Sequence, residues 1–306
     1  MRRLGDNAHL LLILAVTFWA GNFLIGRAVR ADVPPVALAM FRWAGATLFL
    51  APFAARDAWR QRAVLLRHAG VVVLLSFAGV TVFNTLIYLG LQTTTALNAF
   101  LLQALMPVAI VAMGVVLFGE RIGAVQALGL AVSLAGASWV IVEGSPARLA
   151  SLQVGAGDLL VATAVGFYAA YSVMLRRRPP VKGVTFAFVT FLLGSLMLAP
   201  FWLLEATVRP FDPNPAAWAA IAYVTVFPSI LSYLAFNRGV ALIGSARAGV
   251  YLHLMPVLGG LGAVTILGEA FRAHHAVGVL AVAAGIAMAS RRSSEAHNRP
   301  ATDRIR

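Results

Sequence analysis

Apolar stretches of about 20 residues, the length of helix that crosses a hydrocarbon core, recur along the whole chain. They fall at residues 8–29, 35–54, 69–90, 94–118, 121–142, 156–175, 184–204, 216–241, 245–267 and 272–290, with short polar connections between them. In lipid a chain must satisfy its own backbone hydrogen bonds, so unbroken apolar runs of this length read as helices. The pattern predicts an all-α polytopic membrane protein with ten transmembrane helices. Residues 10–29 lack a small-residue cleavage pattern and read as a retained first helix, not a signal peptide. The longest connection, residues 55–68, carries Trp59 among several arginines. It reads equally as a basic segment lying on the membrane surface or as a solvated loop.

A constant shift of 149 residues lays the second half of the chain on the first. Leu105-Met106-Pro107-Val108 returns as Leu254-Met255-Pro256-Val257, and Gly119-Glu120 returns as Gly268-Glu269. Gly90, Gly129 and Gly136 return as Gly239, Gly278 and Gly285, and Ala15, Val16, Phe18 and Ala20 as Ala164, Val165, Phe167 and Ala169. Such a register marks a duplication. Residues 1–148 form a first five-helix repeat, residues 149–290 a second, and residues 291–306 a polar tail expected to be disordered and cytoplasmic. Because five is odd, the second repeat enters the membrane in the opposite orientation. Two inverted five-helix repeats (5+5) are a recurring plan of secondary transporters, with the substrate site near the midplane at the repeat interface.

Composition narrows the class. With 60% hydrophobic and 11% charged residues the chain is too apolar to cover a water-facing surface. Its net charge of +13 does not point to nucleic acid, because the cations lie in short connections between apolar runs. Arg2, Arg3, Arg56, Arg60, Arg62, Arg67, Arg121, Arg176, Arg177, Arg178, Lys182, Arg238, Arg291, Arg292, Arg299, Arg304 and Arg306 sort to one face. Only Arg27, Arg30, Arg148, Arg209 and Arg272 sort to the other, so the positive-inside bias places both termini in the cytoplasm. No cysteine is present, which excludes disulfides and thiolate metal sites. No Asp or Glu falls in the middle third of a span, so neither a carboxylate relay nor a metal cluster is expected. No cofactor is expected, and no nucleophile constellation at depth argues for an enzyme.

The remaining polar and aromatic residues at depth form a pattern. Phe77, Thr81, Asn84 and Tyr88 follow helical spacing and make one stripe on the third helix. Their counterparts on the eighth are Val226, Ile230, Tyr233 and Asn237. The first helix carries Trp19, Asn22 and Phe23, the sixth Tyr168, Tyr171 and Ser172, the fourth Asn98 and Gln103, and the ninth Arg247, Tyr251 and His253. A single buried amide is ordinarily glue between helices. Two symmetry-related stripes predict a cavity lining instead, formed by Trp19, Asn22, Phe77, Asn84, Tyr88, Asn98, Tyr168, Tyr171, Tyr233, Asn237, Arg247 and Tyr251. Such a lining suits a small amphipathic solute that is neutral or zwitterionic. Arg247 would attract a carboxylate or snorkel at the entrance.

Several residues read as structural or keep two readings. Pro107 and Pro256 interrupt their helices and read as gating hinges or as static kinks. Glu120 and Glu269 are placed to cap the following helix. Gly129, Ser133 and Gly136, with Gly278 and Gly285, make small faces for close packing between repeats or in a dimer. Arg42, whose equivalent is Phe191, reads as an internal packing or snorkelling residue, and His253, whose equivalent is Ala104, as a satisfied histidine.

The duplication, the Gly119-Glu120 and Gly268-Glu269 helix ends, the glycine pairs that follow them and Phe41-Arg42 together resemble the EamA-type drug/metabolite transporter superfamily. Within it the chain looks closest to the bacterial exporters of aromatic amino acids. The resemblance covers essentially the whole chain. It implies a bacterial inner-membrane exporter working by alternating access around a central cavity. Its partners would be a small-molecule substrate and membrane lipid, with no obligate protein partner evident. The expected cargo is amino acids, including aromatic ones. Trp19, Tyr88, Tyr168 and Tyr171 would pack against the cargo's side chain, and Asn84, Asn98 and Tyr233 would bond its polar end. A multidrug or cationic-metabolite exporter is the alternative, weakened by the missing midplane acid. A membrane-embedded enzyme and a non-transporting scaffold are the readings from other classes.

Overall fold

A computed structural model describes residues 7–29, 31–94, 96–150, 153–211, 214–267 and 272–290. The expected tail and the Gly268-Glu269 pair lie outside these residues. The long helical runs are numbered here in chain order. They are α1 (Ala8–Ala28), α2 (Pro35–Arg60), α3 (Ala69–Thr93), α4 (Ala96–Ala104 and Met106–Phe118) and α5 (Ala124–Ile141). They continue as α6 (Ala156–Met174), α7 (Gly183–Val208), α8 (Pro215–Ile243), α9 (Ser245–Val250 continuing to Leu254–Leu267) and α10 (Ala273–Ser290). Among the described residues eight of these, α2 to α8 and α10, are long and apolar enough to cross a membrane. Helix α1 and the broken α9 fall where the first and ninth spans are expected. Phe53, Val116, Leu196, Phe201, Leu204 and Leu280 all point outward, an apolar exterior that only lipid would cover.

Local chemistry sets several helix ends. Asn7 accepts from the Leu10 amide at 3.2 Å to start α1, and Asn214 accepts from Ala217 at 2.8 Å, with Pro215 following, to start α8. The first amides of α2, at Val36 and Ala37, donate to the Glu205 carboxylate of α7 at 3.0 and 2.7 Å. Gly119 ends α4 at φ 62°, a left-handed turn that favours glycine, and the Glu120 amide folds back to the Gly114 carbonyl at 3.2 Å. Helix α2 runs to Arg60, past the expected end of its span, and a short helix, Arg62–Arg67, continues it with Trp59 and Leu66 exposed.

Every principal packing joins one repeat to the other: α1 on α8, α3 on α6, α2 on α7 and α5 on α10. The 149-residue shift exchanges the first two pairs and maps the last two onto themselves, which is what a pseudo-two-fold axis requires. The α5–α10 contact is backbone on backbone. A Cβ at Gly129 would stand 2.6 Å from the Ala289 nitrogen, and one at Gly285 would stand 2.6 Å from the Gly129 carbonyl. The glycine faces therefore serve packing between the repeats.

Two further irregularities occupy equivalent positions. Residues Phe77–Val82 of α3 and Thr225–Leu231 of α8 are π-helical. A π turn inserts an extra residue and frees carbonyls. Gly79 and Pro228, equivalent under the shift, use theirs alike: Gly79 accepts from the Tyr233 hydroxyl, and Pro228 from the Trp19 indole at 2.8 Å. The extra residue also changes the phase of the α3 stripe. Phe77 is 41% exposed and packs on Phe167 at the outside, whereas Asn84 and Tyr88 point inward. The spacing argument for Phe77 assumed an unbroken α-helix, and the π turn removes it.

Helices α4 and α9 break just before their prolines, at Leu105 and over Tyr251–His253. The two breaks touch at the axis. His253 Nε2 donates to the Ala104 carbonyl at 2.8 Å, and these two residues are themselves equivalents, 149 apart. A carbonyl cannot donate, so that nitrogen carries the proton. The Ser133 hydroxyl sits 2.7 Å from Nδ1. Both ring nitrogens are engaged, so His253 is a satisfied histidine, as its sequence reading had it.

Candidate functional site

The centre of the bundle is organised by a charge. Arg42 is 0% exposed. Its Nε donates to Ser229 Oγ at 2.5 Å, and its Nη1 donates to Asn84 Oδ1 at 2.9 Å, the Tyr88 hydroxyl at 2.9 Å and Asn22 Oδ1 at 3.1 Å. It also lies 4.6 Å from the Trp43 ring centre. Its Nη2 has no hydrogen-bond partner, and among the described residues no carboxylate pairs with it. Arg42 does not snorkel. It ties α2 to α1, α3 and α8, and an arginine deep in a span is by default a functional residue. That signal was present in the sequence, as was the unmatched Phe191, but position on a peripheral helix argued the other way.

Arginine can only donate, so it fixes the orientation of both amides. Asn22 and Asn84 must turn Oδ1 toward it and Nδ2 away. Asn84 Nδ2 then donates to the Tyr233 hydroxyl at 3.4 Å, another pair related by 149 residues. The Tyr88 hydroxyl donates to Asn22 Oδ1 at 2.9 Å. In the other half the Tyr171 hydroxyl donates to Asn237 Oδ1 at the same 2.9 Å. The shift maps Asn22 to Tyr171 and Tyr88 to Asn237, so one hydrogen bond is built twice with tyrosine and asparagine exchanged. Only the first copy is held by Arg42.

Aromatic rings fill the space between the two copies. Trp19 meets Tyr168, Tyr233 and Phe236 at 5.8, 5.7 and 5.1 Å, and Tyr168 meets Phe83 and Tyr171 at 4.5 and 5.4 Å. They leave a central pocket of about 20 Å³ lined by Trp19, Asn22, Phe83, Asn84, Ile87, Gln103, Met106, Tyr168, Leu252 and Met255. That is room for about one water. A much larger vestibule, about 490 Å³, is lined by Ser172, Arg176, Arg178, Asn237, Gly244, Ser245 and Glu120. Asn237 lines this vestibule, and its partner Tyr171 packs on Tyr168 of the central pocket. The Tyr171–Asn237 pair thus links the vestibule wall to the aromatic cluster of the central pocket. Burial lowers the pKa of Arg178 below its ordinary value.

Of the twelve expected lining residues, Trp19, Asn22, Asn84 and Tyr168 border the central pocket, and Tyr88, Tyr171, Tyr233 and Asn237 bond or pack directly around it. The others lie apart. Phe77 faces outward. Asn98 donates to the Gln153 carbonyl at 3.0 Å and borders a separate apolar groove of about 360 Å³ with Leu101, Leu105 and Ser138. Tyr251 is buried against His9 and Ser290 near the ends of α1 and α10, and Arg247 is half-buried in the first turns of α9. Gln103 is at the pocket and had been noted only as a polar residue of α4. Glu120 does not cap α5: its carboxylate pairs with Arg176 at 2.6 Å across the repeats, drawn by the opposite charge. That pair is half-exposed, so Glu120→Ala should lower thermal stability by no more than about 1 kcal/mol in a melting experiment.

Residues 6–142 and again 155–291 match the EamA-like transporter family, and the two matches are offset by the same shift that relates the halves. The chain belongs to the EamA-like transporter family. EamA-like relatives match along nearly their full length. The probable terminal-alkyne amino-acid exporter of Streptantibioticus cattleyicolor is 30% identical over 92% of this chain and 93% of its own. The uncharacterized transporter YyaM of Bacillus subtilis is 24% identical over 93% of each. A shorter match, 34% identical over 55% of this chain and 52% of the relative, is to the chloramphenicol-sensitive protein RarD of Pseudomonas aeruginosa. A solved crystal structure shares the fold with a TM-score of 0.74 at 20% identity, covering 93% of this chain and 97% of that one. This EamA-like chain is thus a multi-pass membrane transporter with small-molecule cargo.

Proposed function

We propose that the protein exports amino acids, including aromatic ones, across a bacterial inner membrane by alternating access between two inverted five-helix repeats. In this reading all ten runs span the membrane and both termini are cytoplasmic. The 490 Å³ vestibule is then the cytoplasmic entrance, within the usual size range of about 300–1,000 Å³ for small-molecule sites. The observation that carries it is the hydrogen bond built twice, Tyr88 to Asn22 and Tyr171 to Asn237, on either side of one aromatic pocket. Two equivalent partitions around one site are what inverted repeats need to open to each face in turn. Tyr171–Asn237 would part first, admitting cargo against Trp19 and Tyr168, and Tyr88–Asn22 would part second. The breaks before Pro107 and Pro256, which meet at His253, would let α4 and α9 bend as this happens.

Cargo identity is supported by the amino-acid exporter among the relatives and by a central pocket whose described lining is aromatic faces, amides and apolar side chains, with no acidic residue among them. The cellular test is to load cells with a phenylalanine-containing dipeptide and follow phenylalanine release. Cells making the protein should release it several-fold faster than cells making Tyr171→Ala. Equal release across a broad amino-acid panel, with efflux of a cationic drug alone, would replace this reading by the multidrug one.

A further inference from the structure

The central pocket has a chemical polarity that the cargo must match. Three residues that border it carry donors for the cargo to meet. Gln103 Nε2 and the Tyr168 hydroxyl are buried without a partner, their residues 7% and 2% exposed. Asn22 borders the same pocket, and because Arg42 and Tyr88 both claim Oδ1, Nδ2 is the amide atom left for a ligand. Behind them stands the Arg42 guanidinium, with Nη2 unpartnered and no counter-ion among the described residues. An unmet buried donor is costly and an unpaired buried cation more so, which favours a ligand that accepts.

We infer that the pocket, enlarged when the Tyr171–Asn237 pair parts, recognises a carboxylate, seated on Asn22 Nδ2, Gln103 Nε2 and the Tyr168 hydroxyl within the field of Arg42. This rests on the amino-acid reading and deepens it, naming the end of the cargo that the pocket holds. Arg42 is a positioning residue here: it orients Asn22 and supplies charge from behind. An ammonium group finds no carboxylate in the pocket and is left to the ring faces of Trp19 and Phe83.

The test uses the full chain purified in detergent and three probes: phenylalanine, 3-phenylpropionate, which lacks the amine, and phenethylamine, which lacks the carboxylate. Each probe is titrated while the melting temperature is read, since binding to the folded state raises it. Phenylalanine and 3-phenylpropionate should stabilise at concentrations at least tenfold below phenethylamine. Tyr168→Phe and Gln103→Leu should each weaken both carboxylates about fivefold and leave phenethylamine unchanged. Asn22→Asp turns the key donor into an acceptor, neutralises Arg42, and should reverse the preference toward the amine. Phenethylamine stabilising as well as phenylalanine would overturn the inference while leaving amino-acid export standing. Binding of 3-phenylpropionate without phenylalanine would uphold it while removing the amino-acid reading. A carboxylate preference that survives all three substitutions would overturn it, because the donors would then hold only water.

Discussion

Arg42→Lys is expected to reduce transport by about tenfold to a hundredfold while the protein remains folded, the loss that follows from forfeiting one charged hydrogen bond of about 1.5–3 kcal/mol. Lysine keeps the positive charge but presents one nitrogen where arginine presents a planar fork. Arg42 reaches Ser229 through Nε and Asn22, Asn84 and Tyr88 through Nη1, and a single ammonium cannot meet both groups. With Asn22 released by the cation, only the Tyr88 hydroxyl still holds its oxygen, and the amide can turn that oxygen into the pocket. The loss should appear in the initial rate of amino-acid exchange, in protein that still runs as a folded species and melts a few degrees below the parent. Wild-type exchange in Arg42→Lys would mean that charge alone suffices and that the fixed amide orientation is unimportant. Because the equivalent residue is Phe191, the same change tests why the two halves differ: among the described residues, only the Tyr88–Asn22 copy of the hydrogen bond is held by Arg42.

Gly285→Leu should prevent the protein from being recovered as a folded, monodisperse species. The new side chain would begin 2.6 Å from the Gly129 carbonyl and 2.6 Å from the Ser133 backbone nitrogen, and a helix backbone cannot step aside. Overpacking costs about 1–3 kcal/mol in cores that can relax, and this contact stands at or beyond the upper end. In lipid no hydrophobic drive between helices compensates, since the tails are as apolar as leucine. Gly70→Leu is the control, because nothing lies within 4 Å of a Cβ at Gly70. Size-exclusion profiles of the two variants should separate cleanly. A well-folded Gly285→Leu protein would mean that α5 and α10 are not held in this contact.

The repeat and the helical character were legible because both rest on period and register, which the sequence carries directly. Leu105-Met106-Pro107-Val108 and its echo fix the shift, and the shift then pairs Ala104 with His253 and Asn84 with Tyr233, contacts that the structure forms. The identity of the polar lining was legible in part for the same reason. What escaped the sequence were departures from α-helical phase. The π turn at Phe77–Val82 turns Phe77 outward, and no residue-spacing rule that assumes 3.6 residues per turn can see that. Gly79 and Pro228, both poor helix formers at equivalent places, are the signal that was there to read. Arg42 escaped because its helix looked peripheral, whereas its long side chain reaches the axis. Glu120 escaped because its partner Arg176 is distant in sequence and joins it only once the repeats interleave.

In the proposed mechanism a solute enters the pocket between the repeats from one face at a time and leaves by the other. Counterflow in proteoliposomes tests it most directly. Vesicles holding the purified protein are loaded with unlabelled phenylalanine, diluted into tracer phenylalanine, and followed over time. Transient accumulation of tracer above its external concentration is the expected result. That overshoot should vanish in empty vesicles, fall steeply in Arg42→Lys, and be competed by other amino acids. Tracer that never exceeds equilibrium in any amino-acid pair, from protein that is folded and correctly inserted, would contradict it.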